Sequence, residues 1–266
     1  VIGLVESDLM RSMMGQRDLG RLVAAALPQK YYVDYGPSPR QHTWGCTLLS
    51  RFPINNSTHY LLPSPKGEIA CAIMANIQVS PEVAVNVLIA HNGQEEDKLD
   101  RQLQTDYLAE LVKRHTQLPL IYAGYLVAKP HTDQYHRLFR PTPGEPHNRH
   151  YIHGSLYDID PDIQDRWCLY VGHNQRFLKP IGFARVHHGG ITDTELQVGS
   201  FAVMLADKHR HDFDQKWDLI VRQVRVAEKE SPKYYRRWYF DEPLSICPAG
   251  ASTICEHYYH LKRHYF

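Results

Sequence analysis

A short apolar run that turns directly into a helical pattern constrains the fold of this chain more than any other feature. The run from Val85 to Ala90 is long enough for one buried strand, and His91 ends it. Apolar residues then recur every four positions, as on one face of a helix: Leu99, Leu103, Tyr107 and Leu111. A histidine at the carboxyl end of a buried strand lies where open α/β sheets bind their ligands. His91 is therefore the first candidate for chemistry.

The start of that helix can also be predicted from the sequence. Asn92 followed by Glu95 three residues later is close to a capping box, which predicts a helix beginning just after His91. Glu95, Glu96 and Asp97 would then lie in the first turn, where acidic side chains stabilise a helix through its dipole.

The other strand and helix patterns indicate an α/β chain with mixed sheets. One helix is predicted from Asp18 up to Pro28, and residues 129–165 lose periodicity, which predicts a long surface excursion. Strands are predicted at residues 1–5, 44–50, 69–79, 85–90, 118–123, 167–171, 181–186 and 198–205. Few helices among so many strands argue against a strict βαβ array.

Composition narrows the function classes. The formal net charge of the 266 residues is +1, which gives no support for nucleic-acid binding through bulk electrostatics. No window approaches the roughly eighteen uninterrupted apolar residues of a membrane span. Val1 stands inside an apolar run without an initiator methionine, so we expect a piece of a longer protein. Five cysteines include no CxxC pair, and free thiols are favoured over a bond between Cys247 and Cys255.

The order of the polar strand ends resembles the endonuclease/exonuclease/phosphatase superfamily. Its most specific matches are residues 45–54, GCTLLSRFPI, and His91 with Arg101 and Gln104. The resemblance implies a four-layer sandwich, two mixed β-sheets flanked by helices, in a single domain over residues 1–266 that lacks the superfamily's first strand.

Within that superfamily the chain is similar to one branch, the C-terminal domains of the fungal calcofluor-white-hypersensitivity family and its animal counterparts. The similarity rests on five blocks: residues 42–45 (HTWG), 61–70 (LLPSPKGEIA), 91–97 (HNGQEED), 165–168 (DRWC) and 192–197 (TDTELQ). This family remodels the lipid of GPI anchors to ceramide, so the resemblance implies that activity here.

The resemblance assigns a role to each candidate site residue. Glu6 would bind a divalent cation, Mg²⁺ or another, and His91 would donate a proton to the leaving oxygen. Asp193 would orient a base, with Asn92 and His187 as supporting contacts. The residues that would meet substrate phosphate are Arg51, Lys66 and Arg166.

Two departures from the superfamily bear on the chemistry. Its Gly-Asp-Phe-Asn-like turn reads Gly124-Tyr125-Leu126-Val127 here, and its terminal Asp-His pair reads Asp193-Thr194. His187 or His188 would have to replace the missing histidine. These departures put hydrolysis by water in doubt, whereas transfer to a lipid alcohol would still need His91 and charge neutralisation.

The sequence therefore predicts a phosphodiester transferase that exchanges diacylglycerol for ceramide at the inositol phosphate of GPI anchors. Its partners would be GPI-anchored proteins, ceramide and an N-terminal transmembrane region of the same protein, in the endoplasmic reticulum membrane with this domain facing the lumen. Two alternatives stay open: a non-catalytic module that binds GPI lipids, and a metal-dependent phosphodiesterase acting on small inositol phosphates.

Overall fold

The structure is a computed structural model, and it describes residues 1–7, 17–37, 45–67, 70–93, 97–141, 154–159, 169–186, 195–204 and 237–239. The chain divides into two compact units, residues 1–178 and 179–266. No helix among the described residues is long and apolar enough to cross a membrane.

The first unit contains three helices and nine strands among its described residues. The helices are α1 (Leu19–Ala26), α2 (Lys98–His115) and α3 (Asp133–Leu138). The strands are β1 (Ile2–Ser7), β2 (Tyr32–Tyr35), β3 (Gly45–Ser50), β4 (Ile54–Leu62), β5 (Ala70–Ser80), β6 (Val83–His91), β7 (Leu120–Tyr125), β8 (Tyr157–Asp158) and β9 (Leu169–His173).

A six-stranded sheet with the order β4-β5-β6-β7-β9-β8 forms the centre of this unit. Only β6 and β7 run parallel, and in their register His91 lies opposite Tyr125. The other neighbours pair antiparallel, and Cys71 of β5 lies opposite His91 on its other side. The predicted strand before His91 is thus the innermost part of the sheet, where an apolar run buried on both faces belongs.

A second sheet of three strands, in the order β1-β3-β2, packs on one face of the central sheet. The two sheets approach closely at Gly3, where an added Cβ would lie 2.6 Å from Cδ1 of Ile89. The helix α1 covers the outer face of the small sheet, and α2 and α3 cover the other face of the central sheet. Helix, sheet, sheet and helices make four layers, which confirms the predicted fold class.

The helix-covered face of the central sheet holds the main apolar core. Tyr135, Phe139 and Tyr170 form a ring cluster there, with centroids 4.9 to 5.6 Å apart. Tyr135 and Phe139 lie in the segment that the sequence predicted to be a surface excursion, and that prediction was wrong. Because Leu138, Phe139 and Leu156 are fully buried, the described parts of the segment, residues 129–141 and 154–159, contribute to the core.

Helix α2 corrects two predictions. It begins at Lys98 with Asp97 as its N-cap, and not just after His91. Its buried positions also differ from the predicted stripe, because Leu99 is 42% exposed and Tyr107 39% exposed. The buried side chains are Asp100, Gln104, Thr105, Leu108, Leu111 and Val112. Three of these are polar, so an apolar periodicity could not reveal that face.

Three strands of this unit, β2, β4 and β8, were not predicted. β2 and β4 lie where no strand was predicted, and β8 lies within residues 129–165, where a surface excursion was predicted. β4 is an edge strand of the central sheet, and most of its residues are exposed or half-buried. A polar sequence is suitable for an edge strand. It lacks the alternation of apolar and polar residues by which a half-buried strand is recognised.

The second unit contains β10 (Leu178–Val186), which begins at its boundary, together with β11 (Leu196–Val203) and β12 (Arg237–Tyr239). They form a sheet with the order β11-β10-β12. Arg185 and Glu195 form an ion pair there at 3.8 Å. The single domain over residues 1–266 stays a prediction.

Candidate active site

The parallel pair β6 and β7 brings two aromatic side chains to one edge of the central sheet. His91 and Tyr125 are the last residues of these strands, and they lie opposite each other in the register. Their rings stack with centroids 5.2 Å apart and an interplanar angle of 18°. The ring of Tyr125 therefore packs directly against that of His91.

A bulge at the end of β1 aims Glu6 at this histidine. The register between β1 and β3 shifts between Leu4 and Ser7, and Glu6 has a φ of 55°. Leu4 pairs with Thr47, and the Ser7 hydroxyl accepts a hydrogen bond from Thr47 at 3.0 Å. A Cβ added at Gly20 of α1 would lie 2.9 Å from Cγ2 of Thr47, so the side chains of Leu4, Ser7 and Thr47 are on the face that α1 covers. The extra residue therefore turns Glu6 inward, as bulges near functional sites commonly do.

The Glu6 carboxylate and the His91 imidazole form the central contact of the site. Oε1 of Glu6 lies 3.2 Å from Nε2 of His91. The two residues differ in environment, because the His91 side chain is 1% exposed and the Glu6 side chain 46% exposed. Glu6 therefore connects a buried ring to the solvent. Nδ1 of His91 has no hydrogen-bond partner within the described part of the chain.

The segment after His91 is held by helix α2. The backbone N–H of Asn92 donates to the Tyr125 carbonyl at 3.0 Å, and its side-chain amide donates to Thr105 at 3.4 Å. Gln104 accepts a hydrogen bond from the N–H of Gly93 at 2.8 Å. Oδ1 of Asn92 is buried and has no partner in the described ranges. An unpaired buried acceptor is unusual in a native structure and fits a position that meets a ligand or water.

Helix α2 also attaches the loop that carries Lys66 to the same end of the sheet. The Asp100 carboxylate is 2% exposed and accepts the backbone N–H groups of Lys66 at 3.2 Å and Gly67 at 2.5 Å. Gln104, which binds Gly93, donates to the Ser64 hydroxyl at 2.9 Å. The loop that carries Lys66 and the segment after His91 are therefore both anchored to the first turns of one helix.

Arg51 is not brought to this site. It follows β3 directly, whereas Glu6 lies beside the other end of β3, near Gly45. Six residues of strand separate Gly45 from Arg51, which corresponds to about 20 Å. Arg51 is also exposed. The remaining predicted site residues, Asp193, His187 and Arg166, lie outside the described residues.

A divalent cation at Glu6 is compatible with the donors present. Mg²⁺ is commonly bound by one or two carboxylates, with water and substrate phosphate completing its shell. Glu6 is half-exposed and contacts His91 through Oε1, so its other carboxylate oxygen is not used in that contact. The described residues contain no group of three or more His, Cys, Asp or Glu side chains that could hold a metal ion.

An open cavity of about 760 Å³ lies beside α2 and the segment after β7. Arg101 donates from Nη1 to the Val127 carbonyl at 3.1 Å, and Val127 has a φ of 52°. Gln134 donates to Thr105, which binds Asn92, so the cavity wall is joined to the segment after His91. The cavity is lined, among the described residues, by Arg101, Val127, Ala128, Lys129, His131, Thr132, Asp133 and Gln134.

The sequence interpretation did not assign a role to Tyr125 or Gln104 in holding His91. The position of Tyr125 beside His91 could have been predicted from the pairing of β6 with β7, because each residue is the last of its strand. The contact of Gln104 with Gly93 spans a helical turn and a loop, and no local pattern indicates it.

The solved structures that resemble this chain define its fold. An endonuclease/exonuclease/phosphatase from Bacteroides vulgatus superposes with a TM-score of 0.53 at 8% identity, covering 77% of this chain and 85% of that one. TDP2 from D. rerio, complexed with a single-strand DNA product, gives 0.50 at 11% identity over 74% and 84%. At these identities the likeness concerns the fold alone: the chain has the endonuclease/exonuclease/phosphatase fold.

Sequence comparison then gives the family. The chain belongs to the family of the PGAP2IP C-terminal nuclease-like domain, whose model matches residues 1–236. It is also 46% identical over 236 residues to protein cwh43 of Schizosaccharomyces pombe. That alignment covers 89% of this chain and 21% of cwh43, so the chain spans about a fifth of the relative's length.

Proposed function

We propose that this chain performs the phosphodiester chemistry of GPI-anchor lipid remodelling, in which diacylglycerol is exchanged for ceramide at the inositol phosphate. The observation that carries the proposal is the contact between Glu6 and His91 at the edge of the central sheet, in a chain of the PGAP2IP C-terminal family. A left-handed Glu6 is costly in backbone energy, and such strain is typical of residues that a function requires.

The transfer requires one bond to form and one to break at phosphorus. The ceramide hydroxyl oxygen forms a bond to phosphorus, and the bond from phosphorus to the diacylglycerol oxygen breaks. His91 donates a proton from Nε2 to that leaving oxygen, after the half-exposed Glu6 side chain rotates away from the ring. A base takes the ceramide hydroxyl proton, so the number of protons is unchanged; His187 supported by Asp193 is the candidate from the sequence.

The protein must also neutralise charge on the non-bridging phosphate oxygens. Glu6 would hold Mg²⁺ or another divalent cation, which would supply that neutralisation when bound. Lys66 is a second source of positive charge, because its loop is fixed to the same helix as the segment after His91. Arg166 keeps its proposed phosphate role, whereas the position of Arg51 removes it from this group.

The cavity beside α2 is suited to the polar part of the substrate. Arg101, Lys129 and His131 contribute basic side chains to its wall, and Asp133 contributes one carboxylate. A volume of about 760 Å³ falls in the range of small-molecule sites. The inositol and the sugars next to it would occupy this cavity, while ceramide would come from the membrane side. In the intact protein an N-terminal transmembrane region would hold the domain there, facing the lumen of the endoplasmic reticulum.

The test uses the intact protein with His91→Gln and Glu6→Gln changed singly. We expect each variant to lose ceramide from GPI anchors, with at least a hundred-fold lower exchange for His91→Gln, since a positioned proton donor contributes about 10²–10⁴-fold. Mass spectrometry of the anchor lipids measures the outcome. His59→Gln is the matched control, because His59 is an exposed histidine of the edge strand β4 that contacts Asp34.

A non-catalytic GPI-lipid-binding module is the second candidate, and the near-complete burial of the His91 side chain favours it. Such a module would keep normal ceramide content in both variants, provided that the proteins accumulate to normal levels. It would instead lose remodelling when the cavity is changed by Arg101→Gln. Loss of ceramide in the Glu6 and His91 variants with unchanged anchor binding would support the enzyme.

A further inference from the structure

Two cysteines from facing sheets meet beneath the candidate active site. Cys46 belongs to β3 of the small sheet, and Cys71 belongs to β5 of the central sheet. Their Sγ atoms lie 2.8 Å apart, and the residues are 1% and 0% exposed. Both are thiols in this structure. We infer that Cys46 and Cys71 form a disulfide that joins the two sheets when the chain folds in an oxidising compartment.

The positions of the two sulfur atoms favour a bond between them. Their separation is well inside the van der Waals distance of two non-bonded sulfur atoms, so a small rotation of the side chains brings them to bonding distance. A disulfide between the facing sheets of a sandwich is an established arrangement, as in immunoglobulin domains. The bond would also close a loop of 25 residues, and a closed loop of this length restricts the unfolded chain.

The oxidant would be a small disulfide such as oxidised glutathione, or an oxidised dithiol protein. One cysteine thiolate attacks that disulfide and releases one reduced thiol; the second thiolate then attacks the mixed disulfide and releases the other. The Sγ–Sγ bond forms, two protons leave the cysteines, and two electrons pass to the oxidant. Burial raises the pKa of the Cys46 thiol well above its usual value, so this exchange belongs to folding, before the sheets close.

The bond would tie together the two strands that support the Glu6–His91 contact. β3 pairs with β1, which carries Glu6, and Cys71 lies opposite His91 in the register of β5 and β6. Holding β3 on β5 therefore limits the distance between the carboxylate and the imidazole. The bond between Cys46 and Cys71 would form whether or not the chain performs the proposed lipid chemistry.

The test is a peptide map of the 266-residue chain refolded in a mixture of reduced and oxidised glutathione. After free thiols are alkylated under denaturing conditions, non-reducing digestion should yield one peptide pair that joins Cys46 to Cys71 and separates on reduction. The variant with Cys168→Ser, Cys247→Ser and Cys255→Ser should give the same pair. The variant with Cys46→Ser and Cys71→Ser should give none.

A second measurement compares thermal unfolding of the oxidised and reduced chain in the variant that keeps only Cys46 and Cys71. Reduction after unfolding, followed by refolding, should lower Tm by about 5–10 °C. The inference is overturned if both cysteines are recovered alkylated from folded protein, if either pairs with another cysteine, or if the chain folds only when its thiols are kept reduced. An unchanged Tm would overturn the stabilising role.

Discussion

The two faces of the central sheet have different contents. The main apolar core lies on the helix-covered face and includes Leu88, Ala90 and Tyr122. The sheet-covered face is apolar in the middle, at Ile73 and Ile89, and ends in His91 with Tyr125 beside it. The same strands supply both faces, because alternate side chains point in opposite directions. Neighbouring residues of one strand therefore contribute to different faces, one to the apolar core and the next to the face that carries the candidate site.

The covering element explains the difference. Helices α2 and α3 extend over the core residues and bury them with rings and aliphatic side chains. The small sheet has three strands, and β1 ends beside His91. A half-exposed Glu6 can therefore meet a buried imidazole there. This comparison predicts large stability effects on the helix-covered face and small ones at the Glu6 edge.

The largest effect is expected for Phe139→Ala on the helix-covered face. Phe139 is fully buried in the ring cluster with Tyr135 and Tyr170, so its removal should lower the free energy of unfolding by about 3–5 kcal/mol. Denaturant unfolding followed by circular dichroism measures the change. Phe52→Ala is the control, because Phe52 is 36% exposed and should change stability by less than about 1 kcal/mol. Equal losses in both variants would refute the asymmetry.

Substitutions of Asp100 test whether a polar group on the buried side of α2 contributes to the free energy of unfolding as much as residues of the apolar core do. Asp100→Ala would leave the N–H groups of Lys66 and Gly67 without their acceptor, and we expect a loss of about 2–3 kcal/mol. Asp100→Asn retains one acceptor oxygen and should lose about half of that. Chemical denaturation compares the two, and a neutral Asp100→Ala would mean that the loop is not held by this carboxylate.

A buried histidine far along the sheet gives a pH dependence. Burial lowers the pKa of His173 from 6.5 to about 3, and a weaker hydrogen bond to the Tyr157 backbone opposes this. Between these values only the unfolded chain binds the proton, so stability is complete above pH 6.5 and falls as the pH decreases. Between pH 7 and 5 the free energy of unfolding should fall by about 2 kcal/mol from this group.

The measurement is urea unfolding at several pH values for the unchanged chain and His173→Gln. The variant should have a shallower fall in stability below pH 6.5, where the unchanged chain loses this contribution. His59→Gln leaves His173 in place and should keep the original slope. A slope that His173→Gln does not alter would show that His173 is not the responsible group.

The sequence predicted the elements whose signal is local. The apolar run before His91 became the innermost strand, and Asp18 became the N-cap of α1. On the buried face of α2 the sequence predicted Leu111 but not Asp100, Gln104 and Thr105, which are buried because they bind backbone and side chains of other segments. Hydrophobic periodicity carries no information on such contacts.

The candidate site was only partly predictable for the same reason. Glu6 and His91 were each identified from a strand end, but they are 85 residues apart in sequence. Their contact depends on sheet packing and on the bulge in β1, neither of which has a local signature. Arg51 was also identified from a motif at a strand end, but it does not lie at the site. Because β3 runs antiparallel to β1, Arg51 lies at the end of the small sheet opposite to Glu6.

The smallest stability effect, and the sharpest test of the Glu6 edge, comes from Glu6→Gly. Glu6 occupies the left-handed region with a φ of 55°, where a side chain is disfavoured and glycine is not. Glycine should therefore raise the free energy of unfolding by up to about 1 kcal/mol, while the contact with His91 is lost. Glu6→Gln keeps the strained backbone and should stay within about 0.5 kcal/mol of the unchanged chain.

Thermal and denaturant unfolding of the two Glu6 variants measure whether the left-handed backbone at residue 6 stabilises or destabilises the fold. One outcome is that Glu6→Gly is more stable than Glu6→Gln and that both variants lose anchor remodelling. The left-handed backbone at residue 6 would then cost stability, and the function of the carboxylate would be the reason that a glutamate is kept there. If Glu6→Gly is the less stable of the two, the bulge holds the sheets together, and the contact between Glu6 and His91 is part of the packing. The contrast between the two faces would then no longer separate stability from chemistry.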